Sequence, residues 1–533
     1  MRAEVSGDNA VLPPSIFRGT ALFLFIAIFC NHACSECLTL DWSVSYDGPV
    51  SAGDIAHGLV TDASGNILVC GYEWAGAYPQ RKNWAIRKYA SNGDLAWSRT
   101  YNGPYGYDDE ATAINVDASG NVMATGFEYY DGIFQYDNWM IRKYDEAGNL
   151  LWNRSYDGLG SSTDRAYSVA TDASSNIIVA GFEAVSGQGY NCLVRKYDSS
   201  GNLLWSQSYN SPANNNDIAY GVAVDASGNV IVAGYEKRTD LGQAEDWLIR
   251  KYDSGGNLQW SRTYNSPANS IDIARSVSVD STGNVYVAGY IKNSVISNDY
   301  NWLVLKYDTS GNLIWSRSYN SLGNGEGKAY SVAVDSSGGV YVAGYEDRSD
   351  IGQDWNWLIR KYDSNGNLHW SESYNDPADG WDIAEGVAVD GSGNVIVAGS
   401  EYRGDLGQSA NWRIRKYRQI ACPAVTEQPP AGPVAGEIWV SSTTGRLPVS
   451  PAANEQAVFI LNLTKPGRIH VIVYSLLWEE VTVVFDGDAQ AGPLELRWNG
   501  RNRKGQVIAD GTYLVRFDIP GKKTAIKRVV IGK

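Results

Sequence analysis

Histidine is scarce in this chain. There are four in 533 residues, His32, His57, His369 and His470, and no two stand at the spacing a zinc site needs, which excludes a His-based metal centre. No G-x-S-x-G elbow, no phosphate-binding glycine loop and no cysteine beside a histidine is found, so nucleophilic and phosphoryl chemistry lose their usual residues. The chain is expected to be non-catalytic and to carry no cofactor. Cations are also in deficit: 44 Lys and Arg against 59 Asp and Glu give a net charge of -15, which argues against nucleic acid as a partner because phosphate binding needs clustered positive charge. Methionine is nearly absent, at 3 residues, and no segment shows helical periodicity. One apolar run stands out, Ala21 to Cys30, too short to span a bilayer but suited to the core of a signal peptide. Export is therefore expected, with residues 1–36 as signal peptide and leader. Ala33 followed by Cys34 leaves two readings open, a free secreted product or one held to the membrane by a lipid on cysteine.

What the chain has in abundance is glycine, tyrosine and tryptophan, at 56, 34 and 19 residues, the balance of many short strands and tight turns. These residues recur with a period. Trp42, Trp97, Trp152, Trp205, Trp260, Trp315 and Trp370 are spaced by 55 residues, once by 53. Each unit holds four strand-like runs, as in AYSVAVD, GVYVAGY, NWLIRKYD and NLHWSESY near residues 329–374, and D-x-S-G-N turns join the outer pairs. Four antiparallel strands per repeat make one blade of a β-propeller. Seven second-strand copies, from Ile67 to the copy at Val395, predict seven blades. The seventh lacks a fourth strand after Tyr417, while Leu40–Gly48 is a fourth strand with no blade before it. Pairing the two would close the ring and hide its edges. Cys37 and Cys422 flank these two strands, which suggests a disulfide between them, with Cys34 the alternative partner. Cys70 and Cys192 replace an Ala and a Trp of the repeat and are expected to be buried free thiols.

The unit D-x-S-G-N-V-x-V-A-G-Y resembles the bacterial SBBP-type β-propeller repeat and is similar to delta-60 repeats, across nearly all of Leu40 to Tyr417. That resemblance implies a secreted or surface scaffold whose ligand it does not specify. After a Pro-rich linker at residues 421–436, a module at 437–533 shows six strand-like runs. Its segment Arg497–Phe517, with Trp498, Asn499, Gly500, Gly505, Gly511, Thr512 and Tyr513, resembles the Ig-like domain of the flagellar hook-capping (FlgD) family. The expected architecture is all-β: a seven-bladed propeller over residues 37–420, closed by an N-terminal strand, followed by an Ig-like β-sandwich.

Two sets of residues are candidates for function. Asp54, Asp109, Asp164, Asp217, Asp272 and Asp382 each stand two residues before a constant Ala, with Gly327 in the sixth unit. A ring of acids at one channel mouth could hold a divalent cation, but a residue repeated in nearly every blade more simply satisfies backbone donors. Binding should instead be sought where repeats differ. Loops of blades seven, one and two carry Trp381, Trp74, Tyr78, Tyr105, Tyr107, Tyr129, Tyr130, Phe134 and Tyr136, suited either to packing within the loops or to stacking on sugars and anchoring a protein. The resulting expectation is a secreted or cell-surface monomer that binds a protein or glycan partner and meets a membrane only through a lipid anchor. The rival is a carbohydrate-binding lectin, or a hydrolase or lyase working on the same face.

Overall fold

The computed structural model describes residues 36–76, 81–130, 136–158, 162–292, 299–321, 323, 325–421, 438–442, 456–474, 480–506, 511–519 and 525–531. The Cys37–Cys422 and Cys34 pairings, the leader and the linker lie outside the described residues, as does the side chain of Cys37. Two compact units separate, Leu38–Asn367 with Ser371–Gln419, and Ile420 onward.

In the first unit the alternation of small and branched residues with Tyr and Trp forms four-stranded antiparallel sheets, each following chain order. Sheets one to six run Ile55–Tyr101, Glu110–Tyr156, Arg165–Tyr209, Asp217–Tyr264, Asp272–Tyr319 and Gly327–Tyr374. Sheet seven takes its first three strands from Ile383–Ala421, and its outer position is filled by Glu36–Tyr46, which lies beside Ala410–Ala421. The chain is all-β, built of blade-like repeats.

The turn Asp explains why the outer hairpins form, with Ala90 in its place in the second turn of sheet one. Asp62 accepts N–H bonds from Ser64 and Asn66 at 3.0 and 2.9 Å, and Gly65 takes a φ of 75°, a left-handed conformation costly for other residues. The Lys of R-K-Y answers several of these aspartates across the sheet: Lys88 on Asp62 at 3.0 Å, Lys196 on Asp172, Lys251 on Asp225 and Lys416 on Asp390 at 2.9 Å.

Neighbouring sheets are joined by two recurring devices. The buried third-strand Trp donates its indole N–H to a second-strand carbonyl of the next sheet: Trp84 to Phe127, Trp139 to Phe182, Trp247 to Tyr290, Trp302 to Tyr345, Trp357 to Ser400 and Trp412 to Tyr72, at 2.7 to 3.1 Å. The last of these runs from sheet seven to sheet one. In sheet three Cys192 takes the Trp position; it is a buried free thiol whose pKa burial pushes up to about 12, and Cys70 is also free and buried.

The second device is a polar triad. A fourth-strand Tyr donates to a Glu of the next sheet, Tyr46 to Glu73, Tyr101 to Glu128 and Tyr156 to Glu183 at 2.6 to 2.7 Å, while an Arg of that next sheet lies over the Tyr ring. Arg87 stands 3.4 Å from the Tyr46 centroid, and Arg142 and Arg195 stand 3.9 Å from those of Tyr101 and Tyr156. Between sheets four and five the same positions hold Tyr264, Ile291 and Leu305, so Glu and Arg are replaced together and that seam is apolar. The pair makes a matched test. Tyr156→Phe strands the buried Glu183 and should cost about 1–3 kcal/mol in urea unfolding, whereas Tyr264→Phe should change stability by less than about 0.5 kcal/mol. Equal losses would reject the triad as a stabilising unit.

The second unit is two sheets around one core. Ile438–Ser442, Ala457–Leu463 and Gly492–Trp498 form one, and Glu480–Ala489, Gly467–Tyr474, Gly511–Asp518 and Ala525–Ile531 form the other. Phe459, Leu461, Val471, Val473, Trp498 and Phe517 pack between them. Trp498 anchors the following turn by an indole bond of 2.9 Å to the Arg501 carbonyl.

Candidate functional site

The six repeated aspartates are fully buried or within 1% of it, and each ties three chain segments together. One carboxylate oxygen takes the N–H six residues earlier, from Gly48, Gly103, Gly158, Ser211, Ser266 or Asp376, at 2.5 to 2.8 Å. The other takes the N–H twenty residues later, from Trp74, Tyr129, Ala184, Lys237, Lys292 or Tyr402, at 2.6 to 3.4 Å. In sheet one a Cβ on Gly48 would stand 2.8 Å from Asp54 Oδ1, whereas Ser211, Ser266 and Asp376 make the same bond with a side chain present. The structure thus places the acids as buried loop clamps, each carboxylate taken up by backbone N–H groups. Among the described residues no group of three or more His, Cys, Asp or Glu gathers as metal ligands.

The clamp also positions the aromatic loops. Its twenty-residue partner is aromatic in only three sheets, Tyr402 in sheet seven, Trp74 in sheet one and Tyr129 in sheet two, which are consecutive in contact. Two of them carry a second ring: Trp381 lies 6.0 Å from Tyr402 and Tyr107 lies 4.4 Å from Tyr129. Trp74, Trp381, Tyr107, Tyr129 and Tyr136 are half-buried and Tyr105 is 37% exposed. Tyr136 faces Tyr130 in the strand register. Tyr78, Phe134 and the Tyr130 side chain lie outside the described residues.

One set of residues escaped the sequence reading. Immediately after the constant Ala, every first strand has a bulge, an extra residue without a partner in the ladder. Bulges re-aim side chains, and these seven line one cavity of about 280 Å³ bordered by the first strands of all seven sheets. The residues are His57, Thr112, Tyr167, Tyr220, Arg275, Tyr330 and Glu385, all half-buried, while the preceding alanines are buried. The signal was present: beside an unchanging Ala this position holds His, Thr, Tyr, Arg or Glu.

Charge divides the cavity. Glu110 is held by Lys82 at 2.5 Å and lies 3.7 Å from His57; burial works to raise its pKa, but His57 and Lys82 outweigh it and hold the carboxyl at about 2. Arg165 pairs with Asp137 at 2.5 Å. The Arg275 guanidinium lies between two rings, 4.3 Å from the Tyr220 centroid and 5.0 Å from that of Tyr330. Among the described residues no carboxylate lies within ion-pair distance of Arg275 and no cation within that of Glu385. Burial raises the Glu385 pKa against the pull of His57 and Arg275.

The SBBP model, described as a β-propeller repeat, matches residues 259–296, from the fourth strand of sheet four into sheet five. Over 311 residues, 54% of this chain, the sequence is 24% identical to an uncharacterized WD repeat-containing protein of Acanthamoeba polyphaga mimivirus, of whose length the match spans 17%. Similar solved structures include PorZ, a bacterial surface component of the type-IX secretion system of Porphyromonas gingivalis, at 12% identity and a TM-score of 0.31 over 91% of this chain and 75% of that one. A Dyadobacter fermentans protein of unknown function reaches 0.40 at 9% identity over 72% and 99%, and a Penicillium chrysogenum α-L-arabinanase 0.39 at 10% over 71% and 98%. With its sheets repeated blade by blade and the matched repeat lying across two of them, the chain is a β-propeller repeat protein.

Proposed function

We propose that the chain is a non-catalytic, exported binding protein: a closed ring of seven SBBP-type, delta-60-like blades whose blades seven, one and two recognise a protein or glycan partner at the cell surface, followed by an Ig-like module of the hook-capping kind. The supporting observation is that the shared aspartate clamp holds an aromatic residue, Tyr402, Trp74 or Tyr129, only on three adjacent sheets. Rigid aromatics on a fixed backbone give contact area at low entropic cost, as sugar stacking and protein hot spots require.

A glycan array and a surface-protein pull-down with the wild-type chain and the Trp74→Ala/Tyr129→Ala double variant test this reading. Binding should weaken by about tenfold or more in the variant while its melting temperature stays near that of the wild type. Unchanged binding would reject the face, and turnover in a hydrolase and lyase screen would reject the non-catalytic reading.

A further inference from the structure

The cavity poses a separate electrostatic problem. Arg275 and Glu385 occupy equivalent bulges of sheets five and seven, with Tyr330 of sheet six between them. Each feels the other's charge, yet they do not touch. Keeping opposite charges inside a protein and apart forgoes the attraction that offsets their desolvation, so each retains capacity for a counter-charge. The other charges on the wall are already matched, Glu110 by Lys82 and Arg165 by Asp137.

We propose that this cavity binds a small amino acid as its zwitterion, with the carboxylate on Arg275 and the ammonium on Glu385. A guanidinium offers a planar fork that matches a carboxylate, and a carboxylate accepts readily from an ammonium. Simple ions fit only half of the site: an anion on Arg275 meets Glu385, and a cation on Glu385 meets Arg275. Size agrees, since about 280 Å³ corresponds to about nine waters at roughly 30 Å³ each, room for an amino acid side chain against Tyr167 and Tyr220, whose rings stand 5.0 Å apart. This site is distinct from the aromatic loop face and does not depend on it.

Calorimetry and thermal shift on the full chain, with the twenty L-amino acids, β-alanine and γ-aminobutyrate as probes, test the proposal. At least one probe should bind with a Kd below about 1 mM, and its des-amino acid and its carboxamide should each bind at least about tenfold more weakly. Arg275→Gln and Glu385→Gln should each lose at least about tenfold, and Trp74→Ala/Tyr129→Ala should bind as the wild type does. The proposal falls if no probe binds at millimolar concentration, or if the des-amino acid binds as well as its parent. The ligand comparison uses only wild-type protein, so it decides even where a cavity variant fails to fold.

Discussion

A chain beginning at Asp47, without the strand Glu36–Tyr46, is expected to melt about 5 °C or more below the intact protein and to form soluble oligomers. The strand supplies Val44 to a core shared with Ile396, Ala398, Trp412 and Ile414. It also supplies the Ser45 hydroxyl to Glu401 at 2.7 Å and the Tyr46 hydroxyl to Glu73 at 2.6 Å, beneath Arg87. Burial of one Val contributes about 1.5–3 kcal/mol, and each of the two hydrogen bonds to a charged group about 1.5–3 kcal/mol, so the combined loss is at least about 4.5 kcal/mol. Truncation also uncovers the backbone edge of Ala410–Ala421, a template for pairing with another chain. Calorimetry with light scattering would measure both effects, and a synthetic peptide spanning residues 36–46 should restore much of the loss. A truncated chain that stays monomeric and melts within about 2 °C of the parent would refute the role given to this strand.

Stability should also fall as pH rises from about 5 to 8. Burial, opposed by backbone N–H bonds, lifts the clamp carboxyls to about 7 for Asp54 and Asp109 and about 6 for Asp164, Asp217 and Asp272. Burial and then the Asp376 charge lift Asp382 to about 9. In the unfolded chain the same groups release their protons near pH 4. Between these limits the folded state holds more protons, so each clamp stabilises most at low pH and loses that contribution as pH passes its folded value. Each pKa unit of difference is worth about 1.4 kcal/mol. The turn aspartates act oppositely: although burial works to raise them, bonds from Asn and Lys hold Asp62, Asp117, Asp172, Asp225 and Asp390 low, so their contribution is lost below about pH 4. The melting temperature should therefore peak near pH 4–5 and drop by at least about 5 °C by pH 8, with Asp382→Asn flattening the alkaline limb. A curve that is flat or rises across this range would contradict the clamp assignment.

Much of this architecture could be read from spacing. Four strands per unit, the D-x-S-G-N turns and the unpartnered strand near Leu40 follow from identities that recur in register, and the structure sets that strand beside Ala410–Ala421. What spacing could not convey is which atoms meet across sheets. The R-K-Y arginine, the fourth-strand tyrosine and the G-Y-E glutamate are each visible as repeats, yet their assembly into one triad needs contact between sheets. Likewise the repeated aspartate was conspicuous, but not its partners six residues before and twenty after. The cavity residues were hidden for a different reason. Strand reading assumes strict alternation, and one inserted residue at His57, Arg275 or Glu385 reverses the phase, turning toward the cavity a side chain that alternation would aim elsewhere.

The borrowed outer strand of sheet seven also has a consequence in time. Tyr46 leaves the ribosome 364 residues before Ala410. At about 5–20 residues per second, that separation lasts roughly 20 to 70 seconds. During this interval the strand Glu36–Tyr46 has no mate in its sheet, while later sheets can already assemble beside one another. Completion of the final sheet must therefore await nearly the whole repeat array, which leaves the strand Glu36–Tyr46 open to wrong pairing until Ala410–Ala421 is made.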